Sequence, residues 1–118
     1  MSRWRGIWRV DAAIRERPMQ THDRRLLTII TEAIIERALV AECRRLGAQG
    51  YTVLDVRGGG TGGDREGAWE ADRSIELQVI CTGEVAQRIA EHVLAVYAPN
   101  YAVSLYLSDV QVFRAGKY

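Results

Sequence analysis

From Arg24 onward the hydrophobic and polar positions alternate between two periods. Residues 24–31 (RRLLTIIT) are short, apolar and β-branched, the pattern of a buried strand. Over residues 33–46 the period becomes helical. Ile35, Ala38, Leu39, Cys43 and Leu46 fall on one stripe, with Glu36, Arg37, Arg44 and Arg45 mostly away from it. Thr31 is the expected N-cap, and Glu32 places a negative charge in the first turn, where the helix dipole favours it. Gly47 supplies a permissive backbone for the stop. Residues 51–57 (YTVLDVR) and 74–81 (SIELQVIC) alternate as strands. A second helix is expected to start near Thr82–Gly83 and to bury Val85, Ile89, Val93 and Val96, with Pro99 after its end. The last strand is expected from Val103 to Phe113, broken near Asp109.

The order is β-α-β, a long glycine-rich link, then β-α-β. It predicts an α+β, ferredoxin-like fold: an antiparallel four-stranded sheet with both helices on one face. Leu and Val side chains alternate onto both sides of the strands, so the other face needs a cover. Symmetric association of identical copies would supply one.

The chain has 118 residues, which is a single domain's length. With 47% hydrophobic and 26% charged residues it has the composition of a globular protein, not a disordered one. No apolar run approaches the roughly 20 residues of a membrane span. A net charge of +1 argues against a basic nucleic-acid-binding domain. The charge is unevenly spread, however. Residues 1–25 carry seven Arg against three acids, or +4, and the remainder nine basic groups against twelve acids, or −3. In the extension over 1–22, Trp4, Ile7, Trp8 and Ile14 recur near the helical period among arginines. Two readings stay open there: a basic amphipathic helix for a membrane surface or partner, and a loosely held extension with Met19 as a second start. An unbroken apolar stretch and a small-residue cleavage site, the marks of a signal peptide, are missing. The compact domain is then 23–118. Cys43 and Cys81 are too few and too far apart in sequence for a disulfide framework or metal site, and read as buried thiols of a reducing cytoplasm. Two histidines, His22 and His92, do not make a catalytic set.

The link at 57–73 reads RGGGTGGDREGAWEADR, and six of the chain's eleven glycines lie between Gly58 and Gly67. Gly58, Gly60 and Gly63 fit G-x-G-x-x-G, but they follow the second strand, whereas a dinucleotide fold needs the motif between the first strand and a helix. The Walker A pattern also fails, since no Gly-Lys-Ser/Thr follows. What remains is the backbone. Gly58, Gly59 and Gly60 have no Cβ, so their N–H groups can converge on an anion as a nest. Arg57 and Arg73 bracket the link and approach each other if it connects a hairpin, where both can bind a phosphate or carboxylate. Trp69 stands out in the polar link as an anchor for a partner or a cap on a neighbouring subunit. Tyr51, Tyr97, Tyr101 and Tyr106 read as sheet and core aromatics.

The segment Gly50-Tyr51-Thr52-Val53-Leu54-Asp55-Val56-Arg57-Gly58-Gly59-Gly60 resembles the second strand and T-loop base of the PII signalling proteins, where G-x-T-V-x-x-V-x-G-x-G occurs. The resemblance spans residues 24–118. Ala102–Tyr118, with Ser108-Asp109-Val110 and Arg114-Ala115-Gly116-Lys117-Tyr118, is most similar to the PII-like proteins of inorganic-carbon metabolism, which include carboxysome-associated members and regulators of bicarbonate transporters. The resemblance implies a non-enzymatic homotrimer that binds adenine nucleotide between subunits and signals through its T-loop. Carried over by position, Ile30 and Thr52 line the adenine cleft, and Gly58, Gly59 and Gly60 present backbone to the phosphates. Gln78 takes the third-strand contact, and Arg114 and Lys117 meet the phosphates or a nearby anion. Bicarbonate would dock among Arg57, Gly58, Gly59, Gly60, Arg73 and Lys117. The implied partner is a transporter or carboxysome-related protein, met in the cytoplasm, at the inner membrane or at the carboxysome.

The chain departs from the family pattern in three places. The T-G-x-x-G-D-G-K segment that supports the outer phosphates is replaced by Tyr97-Ala98-Pro99-Asn100-Tyr101, which points to ADP or AMP in place of ATP. Residues 58–72 lack the tyrosine that nitrogen-regulating relatives have modified. The two-cysteine ending of some bicarbonate-transporter regulators is also absent. A nitrogen-type regulator sensing ATP, ADP and 2-oxoglutarate is the nearest alternative. An RNA-binding module is a further one, but RRLLTIIT and SIELQVIC offer no aromatics for base stacking. Acyl-phosphate hydrolysis on this fold would need a water-positioning Asn, and Asn100 stands next to Pro99 after the second helix.

Overall fold

A computed structural model describes residues 19–61, 63–65 and 73–118. The tryptophan-rich stretch up to residue 18 and Trp69 lie outside the described residues. Strand β1 (His22–Glu32) leads through a 3-10 turn (Ala33–Ile35) into helix α1 (Glu36–Arg45) and then β2 (Thr52–Val56). A short ribbon of β3 (Gly58–Gly60) and β4 (Gly63–Arg65) follows, then β5 (Ser74–Cys81), α2 (Gly83–Val96) and β6 (Val103–Val112), with a final 3-10 turn (Ala115–Lys117). The four long strands pair antiparallel in the order β2-β5-β1-β6, the ferredoxin-like arrangement. No helix among the described residues is long and apolar enough to cross a membrane.

The register fixes which side chains share a face. Leu27 lies opposite Val79 and Leu107, and Ile29 opposite Leu77 and Leu105. This row meets the helices through Leu39 and Cys43 of α1 and Ala86, Ile89 and Val93 of α2, all buried in one core. The alternate rows form the open face, where Leu54 and Tyr106 are exposed.

Several local expectations need correction. Thr31 does not cap α1, because β1 continues through it, with Thr31 opposite Ile75 and Val103. Its buried hydroxyl donates to the Ala102 carbonyl at 2.7 Å, and the Glu32 carboxylate accepts the Ala102 N–H at 2.7 Å. Both backbone groups of Ala102 lie just short of β6 and need partners, which the end of β1 provides. The acidic residue in the first turn of α1 is therefore Glu36. Ala38 is exposed, whereas Ile35, Leu39 and Cys43 hold the buried stripe. In α2, Thr82 caps as expected, its hydroxyl accepting the Val85 N–H at 3.3 Å. The buried stripe there runs Ala86–Ile89–Val93 and continues to Tyr97, which turns Val96 out to solvent. Strand β6 is unbroken at Asp109, which sits opposite Arg25 and pairs with its guanidinium at 3.2 Å. Of the four tyrosines expected in sheet and core, Tyr106 lies in β6 with its side chain exposed and Tyr97 packs against the core, whereas Tyr51 and Tyr101 are exposed and belong to neither.

Cys43 and Cys81, far apart in sequence, meet in the core as free, buried thiols. Burial, with the neighbouring Cys81, pushes the Cys43 thiol up to about 11, and burial raises Cys81 as well.

Candidate functional site

Three of the expected nucleotide-binding residues come together on the open face. Thr52 of β2 lies opposite Gln78 of β5, and Gln78 lies opposite Thr28 of β1. Ile30 stands in the adjoining row, opposite Glu76, which in turn faces Leu54. The Gln78 amide is held in place by donating to Glu76 at 2.7 Å. Ile30 and Gln78 are half-buried and Thr52 is exposed, so the cluster presents the Ile30 side chain with amide, carboxylate and hydroxyl groups beside it.

One end of the sheet is built by β2 and β5. Val56 pairs with Ser74 as the last rung, so Arg57 and Arg73 leave the sheet side by side. The Arg73 carbonyl accepts the Ala33 N–H at 2.9 Å, fixing the backbone there. Its guanidinium donates to Asp55 Oδ1 at 2.8 Å. Beyond Arg57, the glycines do not form a convergent nest. Gly58, Gly59 and Gly60 are extended and pair with Arg65, Asp64 and Gly63. A nest needs left-handed residues, and among the described residues the positive φ belongs to Gly47, at 119°. A two-stranded ribbon still leaves one edge of each strand unpaired, so outward N–H groups remain for an anion.

The loop after α2 reaches the same end, because Val103 of β6 pairs with Thr31. Its backbone donors are all accounted for. Ala98 donates to the Val93 carbonyl at 3.0 Å, Asn100 and Tyr101 to the Tyr97 carbonyl at 3.1 and 3.0 Å, and Ala102 to Glu32. Pro99 has no N–H to offer. None of the turn's backbone N–H groups is left to cradle a phosphate.

Arg114 and Lys117 lie at the opposite end. His22 pairs with Val112, so the residues after β6 gather at the start of β1. Arg24 grips the final turn there, donating to the Ala115 carbonyl at 2.9 Å and the Tyr118 backbone oxygen at 3.3 Å. Strand β1 spans 11 residues, which at about 3.3 Å per residue separates the two ends by roughly 30 Å. A single chain therefore does not bring Arg114 or Lys117 to Arg57, Gly58, Gly59, Gly60 or Arg73. Sequence reasoning passed over Arg24, Glu76 and Asp55, the residues that hold the final turn, Gln78 and Arg73. For Asp55 a signal existed, since an acid at the exposed end of a strand beside two arginines has an obvious counterion.

A four-stranded antiparallel sheet, two helices on one face and a glycine ribbon leaving the second strand define a ferredoxin-like domain with an extended connection at one sheet end. The family described as nitrogen regulatory protein P-II matches residues 24–117, and the chain belongs to this family of signalling proteins. It is similar to a PII-like signalling protein of Thermus thermophilus, with 41% identity over 85% of this chain and 99% of that one and a TM-score of 0.74. It also shares its fold with CPII, a nitrogen regulatory PII-like protein of Thiomonas intermedia, in a structure bound to ADP, AMP and bicarbonate. There the identity is 23%, the coverage 85% of this chain and 97% of that one, and the TM-score 0.77. A further structure of CPII, bound to ADP, AMP and acetate, aligns at 21% identity over 85% and 98% of the two chains with a TM-score of 0.70.

Proposed function

We propose that this protein is a non-enzymatic signal transducer that binds ADP or AMP between the subunits of a homotrimer, senses bicarbonate, and regulates inorganic-carbon uptake or fixation through its T-loop at 57–73. Ile30, Thr52 and Gln78 line the adenine cleft from one subunit, and the edge of the Gly58–Gly60 ribbon faces the phosphates. Arg114 and Lys117 reach them from the neighbouring subunit. Bicarbonate, a small planar anion, docks between the ribbon and Arg57, Arg73 and the neighbour's Lys117. Its binding orders the T-loop and so changes which transporter or carboxysome-related partner the loop can engage. If nucleotide and anion favour the same ordered loop, each must raise the affinity of the other by the same factor.

The observation that carries the nucleotide preference is the turn at Tyr97–Ala102. Its backbone donors are spent internally, and the Glu32 carboxylate closes it with a negative charge. A third phosphate placed there would meet no free backbone N–H, which favours ADP or AMP over ATP. The ADP-, AMP- and bicarbonate-bound CPII structure of the same fold supports this reading. Calorimetric titration with AMP, ADP and ATP, each with and without bicarbonate, tests it. ADP or AMP should bind, and bind more tightly with bicarbonate, while ATP gains nothing over ADP. Tight ATP binding that depends on 2-oxoglutarate would instead make the protein a nitrogen-type regulator.

A further inference from the structure

We propose that the Asp55 carboxylate is an internal substitute for the sensed anion, occupying the Arg73 guanidinium until bicarbonate displaces it. The inference rests on the functional reading above, in which Arg73 belongs to the anion site. Arg73 Nη2 lies 2.8 Å from Asp55 Oδ1, a charge-assisted contact at the root of the T-loop. A carboxylate and bicarbonate present the same planar pair of oxygens, so one guanidinium edge can serve either but not both at once. The exposures fit an exchangeable contact. The Asp55 side chain is 77% exposed and that of Arg73 37%, and ion pairs in such settings are weak enough to be broken by a competing anion. The Arg73 backbone is anchored through the Ala33 N–H, so exchange needs only rotation of side chains. Asp55 pairs with Ile75 in the sheet, which keeps the displaced carboxylate close enough to return. The pair therefore sets a threshold: bicarbonate must outcompete a tethered carboxylate, and the response moves to higher bicarbonate than a site lacking Asp55 would give.

Bicarbonate titrations at saturating ADP on wild type, Asp55→Asn, Arg73→Gln and the double variant test this. Asp55→Asn should bind bicarbonate about fivefold more tightly, the scale of a partly exposed ion pair, with ADP affinity in the absence of bicarbonate unchanged. Arg73→Gln should weaken bicarbonate binding, and adding Asp55→Asn to it should restore nothing, because the two act through one contact. Bicarbonate affinity that is unchanged or lower in Asp55→Asn overturns the inference while leaving the functional reading intact. A gain that persists in the double variant overturns it too, since Arg73 would then not be the group Asp55 occupies. If ADP or bicarbonate binds none of the four proteins, the functional reading itself fails and this inference falls with it.

Discussion

At the scale of single residues, charge and burial decide behaviour that sequence position does not display. Glu42 of α1 accepts from Arg45 at 2.6 and 3.0 Å and lies 3.1 Å from His92 Nε2 on α2. The hydrogen bond from Arg45, assisted by the charges of Arg45 and His92, holds its carboxyl below the ordinary value of 4.5. A carboxyl depressed in the folded state stabilises that state above its unfolded pKa, and the contribution is lost as pH falls through the folded value. Glu42→Gln should therefore melt below wild type at pH 7, with the gap narrowing as the solution is acidified through the carboxyl range. A gap that stays the same size on acidification would assign the effect to packing. The cysteines make the opposite case. With Cys43 raised to about 11 by burial, neither thiol should react with a thiol-specific reagent in the native protein at pH 8, and both should react once it is unfolded. Burial of the thiols was legible from the composition, but their meeting in one core was not, because α1 and the end of β5 are brought together only by the tertiary fold.

At the scale of elements, two threonines separate what local sequence encodes from what it does not. Both Thr31 and Thr82 stand where a strand gives way to a helix. Thr82 caps α2, as its local sequence implies, and Thr82→Ala should lower stability by about 1 kcal/mol in denaturant unfolding. Thr31 is taken by a demand 71 residues away in the chain, the unpaired carbonyl of Ala102, and no local pattern announces it. Thr31→Val keeps the shape, removes the donor and leaves that carbonyl unsatisfied. A loss of about 1–3 kcal/mol is expected, and a neutral result would mean that water replaces the hydroxyl. The hydrophobic periods located all four long strands and both helices, because each buries one face and the burial imposes the period. They missed the glycine ribbon, since residues without side chains carry no period to read.

At the scale of the whole molecule, the strand order could be reasoned out from the β-α-β repeat, and with it the open sheet face. The candidate residues were also legible, from backbone chemistry and charge for the loop and from family resemblance for the adenine cleft. What the sequence could not display was their separation. Arg57, Gly58–Gly60 and Arg73 crown one end of the sheet, while Arg114 and Lys117 lie at the other, with the length of β1 between them. That separation ties the proposed site to assembly, since a neighbour must lend its C-terminal turn to the loop end of each chain.

Mixing of two defective subunits tests this most directly. Chains carrying Gly59→Val would be spoiled at the loop end, and chains carrying Arg114→Ala with Lys117→Ala at the C-terminal end. Each alone should assemble but fail to bind ADP. Co-expressed in equal amounts, they should regain about one quarter of the wild-type sites, the fraction of contacts in a randomly mixed ring that join two intact ends. Full binding by either parent, or no recovery in verified mixed oligomers, would contradict a site shared between subunits.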